Sequence, residues 1–390
     1  MTAAEPFQIP ETPDALTPDW LTQALRQGGI LDTQRVVATR AEVLGEGVGF
    51  LGDLLRLSLS YDRPEGLPAS LVAKLPKLEN RAVGELLGAY ERENCFYMEM
   101  ADGLPLNTPR MYYGDFDRDK ASEKQEAILR VANKIPRFLS RPMTSLARWL
   151  AGNKKRRYVL LLEDLDDGTM GDQVAGASID RCEQVVRAIA RAQAEYWDRD
   201  LSEKFWLLPL DIDSRLREGL FIGSRSGFAD YFGAELEAKL APYLNRLPAE
   251  GAAILAELVT APTTLLHCDL RLDNLFFQGT EVVVFDWQLV RRGPGVYDIA
   301  YFLSGALDEN SGREVVIGLL KSYHEALHRA GVTNYGFEEL IRGYRRALLI
   351  VLLTLSSVDQ LELGDGRGVA LMRGWMTRLH ARLAEMDEAE

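Results

Sequence analysis

The chain has 390 residues, long enough for two domains or two lobes, with 47% apolar and 26% charged residues and a formal charge of −13. That is the composition of a soluble globular protein, and the acidic balance argues against a nucleic-acid binder, which would carry a basic face. Three widely spaced cysteines (Cys95, Cys182, Cys268) without a C-x-x-C pair predict a reducing compartment and neither a disulfide framework nor a zinc ribbon. The opening "MTAAEPFQIPETPD" lacks the basic and apolar regions of a signal peptide. The longest apolar run, "ALLIVLLTL" (347–355), is too short to span a bilayer, so a cytoplasmic protein is expected.

In chain order, "LTPDWLTQALRQGG" predicts a helix with Thr17 as N-cap, Pro18 in the first position and Gly28–Gly29 as the stop. Strand-like "RVVATRAEVL" follows, then the glycine-rich "GEGVGFLGD" and "LLRLSLSY", where Leu55, Leu57, Leu59 and Tyr61 alternate with polar residues. "GLPASLVAKLP" reads as a further hairpin strand, "RAVGELLGAYERENCFYMEMA" as a helix, and "TPRMYYGDF" and "YVLLLEDL" as two more strands. From about residue 170 the pattern is mostly helical, broken by "LFFQ" and "EVVVFDW" around the hairpin signal Gly279–Thr280. The reading is therefore a strand-rich lobe with one helix, residues 1–163, and a helical lobe, residues 164–390.

Residues 118–157 are out of character, with about twelve Lys/Arg against three acids in an acidic chain. Ile128, Val131 and Ile135, then Leu146, Trp149 and Leu150, recur at helical spacing on either side of Pro142. This predicts an inserted basic helical hairpin within the first lobe. A lid or a wall for an acceptor site is preferred over contact with acidic lipid.

The stretch "LLHCDLRLDNLFFQG" (265–279) sets His267, Asp269, Asp273 and Asn274 inside an apolar run. Buried carboxylates are costly without a partner, so a metal or a substrate is implied. Asn274 on a loop and Asp286, twelve residues on in "VVVFDWQ", suit Mg²⁺, which takes a few side-chain oxygens plus substrate phosphates. Asp269 is then free to accept a proton from an attacking hydroxyl, the division of labour of phosphoryl transfer. Gly47, Gly49 and Gly52 join two strands rather than opening a helix, which fits a phosphate flap better than a dinucleotide fold. Lys74 in "LVAKLP" provides an ammonium for phosphates, and Glu91 and Glu93 are candidate partners for it.

These residues together resemble the aminoglycoside phosphotransferase-like kinases, including the choline-kinase-like and ecdysteroid-kinase-like branches, from about residue 40 to residue 305. "HCDLRLDN", "VVVFDW" and "GPGVYDIAYFL" carry the likeness. It implies an α+β, two-lobed protein-kinase-like fold: an antiparallel N-terminal sheet with one helix, a larger mainly helical C-terminal lobe, and nucleotide between them. It implies ATP and Mg²⁺ as cofactors, Asp269 as catalytic base, Asn274 and Asp286 as magnesium ligands, and Asp298 as structural support. His267 would orient the catalytic loop. "YVLLLEDL" resembles the hinge strand that meets adenine near Glu163–Leu165, and "ERENCFY" is similar to an E-x-x-F-Y pattern that favours Glu93 over Glu91. Three departures stand out: Cys268 in place of a frequent glycine, Gln193 in place of a usual histidine, and the length of the basic insertion.

The expected activity is transfer of the γ-phosphoryl group of ATP to a small-molecule hydroxyl, with a hydrophobic alcohol favoured and an aminoglycoside or choline-type acceptor as alternatives. The expected assembly is a monomer or a homodimer. A nucleotide-binding scaffold without turnover is a competing class. The His324-Glu325-x-x-His328 pattern also matches a zinc hydrolase motif, but it lies in an ordinary amphipathic helix and reads as its solvated face.

Overall fold

The computed structural model describes residues 7–44, 52–77, 80–120, 122–136, 156–224, 228–356 and 366–387, with positions 139, 142 and 146. Gly47 and Gly49, and the second basic helix with Trp149 and Leu150, lie outside the described residues. The chain forms two compact units: Met1–Asp102 with Thr108–Asp119 and Ala147–Asp167, and Gly103–Asn107 with Lys120–Leu146 and Gly168–Glu390.

The first unit is built on an antiparallel five-stranded sheet. Its strands are β1 (Val36–Leu44), β2 (Gly52–Tyr61), β3 (Ser70–Pro76), β4 (Met111–Phe116) and β5 (Tyr158–Glu163), in the order β1-β2-β3-β5-β4. The alternation of β2 buries Leu55, Leu57, Leu59 and Tyr61, and the same sheet face carries Leu71, Ala73, Val159 and Leu161. Helix α1 (Pro18–Gln27) covers that face with Leu21, Ala24 and Leu25. Thr17 caps it by accepting the Trp20 N–H at 3.2 Å, a contact typically worth about 1 kcal/mol.

On β3 the residues between those core positions point the other way, and Lys74 is one of them, flanked in register by Leu54 and Leu160. The helical run expected after β3 is two helices, α2 (Arg81–Leu87) and α3 (Ala89–Glu99), broken at Gly88, whose φ of 65° only glycine adopts cheaply. Arg156 ties the two together, pairing with Glu85 on α2 at 2.7 Å and with Glu91 on α3 at 2.6 Å.

In the second unit the helices are α4 (Gln125–Ala132), α5 (Ile179–Glu195), α6 (Ser214–Ser224), α7 (Phe228–Phe232), α8 (Ala234–Leu244), α9 (Leu247–Leu258), α10 (Val296–Ala306), α11 (Arg313–Arg329), α12 (Phe337–Leu355) and α13 (Gly366–Asp387). Helix α10 is buried along its whole length and packs on α12 and α13. The apolar run 347–355 belongs to α12, where it forms core. Among the described residues no helix is long and apolar enough to cross a membrane.

Strands β6 (Thr169–Met170), β8 (Leu275–Gln278) and β9 (Glu281–Val284) form one small sheet. A second pair, β7 (Thr263–Leu266) with β10 (Arg291–Pro294), was not foreseen from the sequence: "RRGP" shows no apolar period and contains a proline. The sequence reading put 118–157 with the first lobe, whereas Lys120–Leu146 clusters with the second unit. Polar anchors account for this. Glu126 pairs with Arg292 at 2.9 Å, and the Asn133 amide donates to the carbonyls of Asp211 and Ile212 at 3.2 and 2.7 Å. The outer face of α4 is left bare, with Ile128 60% and Val131 66% exposed.

Candidate active site

Two groups of predicted site residues are assembled, one on each unit. On the first, Lys74 Nζ stands 2.8 Å from Oε1 and 2.7 Å from Oε2 of Glu93, with both side chains nearly buried. The ammonium therefore meets Glu93 on α3, while Glu91 is turned to Arg156. Gly52 opens β2 against this lysine: a Cβ there would lie 3.2 Å from Lys74 Cε and 3.3 Å from the Leu75 carbonyl. At the end of β5, Glu163 Oε2 accepts the Arg110 N–H at 3.1 Å. Asp164 binds Arg56 at 2.8 Å and Ser70 at 2.7 Å, which fixes the segment that leads to the half-buried Leu165.

On the second unit β7 delivers His267, and the chain turns through Cys268 with a left-handed φ of 63°. The Asp269 N–H donates to His267 Nδ1 at 3.2 Å, so Nε2 carries the proton and donates to the Phe285 carbonyl at 3.0 Å. Both ring nitrogens are thus engaged by backbone. Asp298, the third residue of α10, grips the same turn: Oδ2 accepts the His267 N–H at 2.8 Å and Oδ1 the Cys268 N–H at 2.9 Å. Burial pushes its carboxyl up to about 7, against the pull of those N–H groups and of Gln193. Gln193, which stands where a histidine is usual in the resembled family, supports this turn through its amide. Gln193 Nε2 donates to Asp298 Oδ2 at 3.3 Å and to the Gly295 carbonyl at 3.1 Å, while Oε1 accepts from Tyr323 at 2.6 Å.

Asp269 lies at the centre of the loop, its side chain 14% exposed. The Asn274 amide donates to its backbone carbonyl at 2.9 Å and to Oδ2 at 3.1 Å, and the Tyr301 phenol donates to Oδ1 at 2.9 Å. Arg271 Nε is 3.5 Å from Oδ2. Burial raises the carboxyl above its ordinary value; Arg271 opposes this and Asp286 adds to it. Asp273 is structural. It accepts from Arg271 at 2.9 Å and from the Gln173 N–H at 2.9 Å, while Gln173 Oε1 accepts the Leu272 N–H at 2.7 Å.

The hairpin β8–β9 pairs Leu275 with Val284, so Asn274 and Asp286 flank the same end of it. The Phe285 N–H donates to the Asn274 carbonyl at 3.1 Å and closes that end. Asp286 sits two residues beyond β9 with a φ of 65°, and Gln288 Nε2 donates to its Oδ2 at 3.3 Å. Gln288 Oε1 is buried without a hydrogen-bond partner beside this carboxylate. An Asn oxygen, an Asp carboxylate and an orphan amide oxygen are the hard donors that a magnesium-like cation takes. Among the described residues no group of three or more His, Cys, Asp or Glu side chains could hold a metal. In the His324–His328 motif, His324 Nε2 meets the Tyr335 carbonyl at 2.8 Å and Glu325 pairs with Arg329 at 3.1 Å.

Sequence reasoning missed Tyr301, Arg271 and Gln173. Tyr301 follows Asp298 by three residues and so shares its helix face, a signal that was available. Gln173 is 99 residues from the loop it supports, and nothing local marks it.

Solved structures with the same fold include a microcompartment-associated aminopropanol kinase, 15% identical over 95% of this chain and 97% of that one, with a TM-score of 0.52. Another is choline kinase from Cryptosporidium parvum Iowa II, 11% identical over 90% of this chain and 91% of that one, also with a TM-score of 0.52. The architecture is accordingly the expected kinase-like α+β fold. Comparison with curated protein sequences gives no match. The sequence profile of the phosphotransferase enzyme family matches residues 118–333, more than half of the 390 residues, and the chain belongs to that family.

Proposed function

We propose that the protein is an ATP- and Mg²⁺-dependent kinase that phosphorylates a hydroxyl of a small molecule, with an apolar alcohol as the favoured acceptor. One observation carries the reading: Asp269 is held by Asn274 through the amide nitrogen, which leaves the Asn274 oxygen for a cation beside Asp286. Asn274 and Asp286 would hold Mg²⁺, which when bound neutralises charge on the phosphate oxygens. Lys74, oriented by Glu93, binds phosphate oxygens of the nucleotide, and the strand around Gly52 lies close above it. Glu163 to Leu165 receive the adenine.

In the transfer step the acceptor oxygen attacks the γ-phosphorus and the bond to the β,γ-bridging oxygen breaks. ADP leaves, and the acceptor proton passes to the Asp269 carboxylate. The raised pKa of Asp269 suits that role, because a base that binds its proton more firmly removes it more readily. His267 and Asp298 shape the turn and take no proton from substrate. The bare Ile128 and Val131 on the basic segment favour an apolar acceptor.

The test supplies wild type and Asp269→Asn with γ-¹⁸O-labelled ATP and fractionated cell extract, and mass spectrometry follows labelled phosphate esters in polar and lipid fractions. The variant is expected to bind ATP and to turn over on the order of 10²–10⁴-fold more slowly. Equal turnover in both proteins rejects Asp269 as the base.

A further inference from the structure

Tyr301 is the one residue outside the loop and hairpin that touches the Asp269 carboxylate among the contacts described above. It projects from the middle of α10, three residues after Asp298, and is 6% exposed. Its side chain is fixed by a closed circuit of contacts. The ring meets Trp375 of α13 edge-on, with centroids 5.0 Å apart and an interplanar angle of 79°. Trp375 Nε1 donates to Ser304 Oγ at 3.2 Å, and Ser304 Oγ donates to the Tyr301 carbonyl at 2.9 Å. Gly305 makes room for the indole, since a Cβ there would fall 2.5 Å from Trp375 Cε2. Buried next to Asp269, the phenol is pushed well above its ordinary pKa and stays protonated, a permanent donor.

We infer that Tyr301 is a positioning residue for the transfer step, its phenol clamping Oδ1 of Asp269 while the Asn274 amide holds Oδ2, so that the carboxylate is fixed in one orientation towards the acceptor hydroxyl. This rests on Asp269 being the base. A carboxylate is free to rotate about its Cβ–Cγ bond, and a base that rotates loses the alignment on which proton transfer depends. Asn274 restrains the carboxylate from the loop side, and Tyr301 restrains it from the helix. The phenol touches no substrate in this account and acts through Asp269 alone.

The experiment uses the full chain in four forms: wild type, Tyr301→Phe, Asp269→Asn and the double variant. Release of ³²P-phosphate from [γ-³²P]ATP with Mg²⁺ is followed with water as the acceptor, beside the ATP dissociation constant and the melting temperature. Phenylalanine keeps the ring against Trp375 and removes only the hydroxyl. The expected result is a kcat lowered about 10- to 100-fold, the scale of one hydrogen bond to a charged group, with ATP affinity unchanged. In the Asp269→Asn background the same substitution has no further effect, because nothing is left to align. A wild-type kcat in Tyr301→Phe overturns the inference. So does an equal fold-loss in both backgrounds, which would mark a merely structural tyrosine. A wild-type rate in Asp269→Asn would instead remove the assignment of the base on which the inference stands.

Discussion

Asp298 gives the sharpest quantitative expectation. Its carboxylate is 1% exposed and accepts two consecutive backbone N–H groups at 2.8 and 2.9 Å, with Gln193 as a third donor. Burial nevertheless dominates and lifts the carboxyl from 3.8 to about 7. The native state therefore holds this proton more tightly than the unfolded chain does. The stability that follows is complete below about pH 4, declines by about 1.4 kcal/mol per pH unit as the unfolded chain ionises first, and is lost above about pH 7, a total of about 4 kcal/mol. Asparagine at 298 presents one acceptor and one donor, as the protonated acid does, but does not ionise. Urea denaturation of wild type and Asp298→Asn at pH 4.5, 6 and 8 isolates the group, since the remaining titrations cancel in the difference. The two proteins should lie within about 1 kcal/mol of each other at pH 4.5, and the variant should be the more stable at pH 8. Its turnover should match wild type at low pH and fall below it above about pH 7, where the wild-type carboxylate accepts from both loop amides and the variant from only one. A wild-type curve that runs parallel to the variant, or gains on it with rising pH, would refute the reasoning.

Two further expectations concern the support of the site. Glu93→Gln removes the carboxylate that meets a nearly buried Lys74 and should lower stability by about 3–5 kcal/mol and weaken ATP binding; Glu91→Gln, which faces Arg156, should lower the melting temperature while ATP affinity stays the same. Gly171→Ala would place a Cβ 2.2 Å from the Leu272 carbonyl, inside the Asp269 loop, and should cost about 1–3 kcal/mol in urea denaturation together with most of the turnover.

What was legible in the sequence is what is local. Thr17 and Pro18 announce α1, the alternation of Leu55, Leu57 and Leu59 announces β2, and Gly279–Thr280 between two apolar runs announces the hairpin that aligns Asn274 with Asp286. The motif stood out because carboxylates interrupted a buried run. The break at Gly88 was hidden because the apolar spacing continues across it. β7 and β10 were hidden because four residues are too few to establish a period. Ile128 and Val131 have the spacing of a packed face and remain exposed, since polar anchors on the opposite side of α4 dock it. Gln173 was invisible for a different reason: it acts on a residue 99 positions away and nothing local marks it, whereas Tyr301, 32 positions from Asp269, could be read only from its place one helical turn after Asp298.

Arg378, on α13, is buried and donates to the carbonyls of Gln173, Gly305 and Val174 at 2.8, 2.7 and 2.7 Å. It stands 205 residues from Gln173, which in turn holds the Asp269 loop through Leu272 and Asp273. Closing so long a loop of chain carries its full entropic penalty before any contact rewards it, so contacts of this kind form late in folding. The Asp269 motif, although contiguous in sequence, is therefore expected to reach its native form after the local helices and hairpins, once α13 has docked.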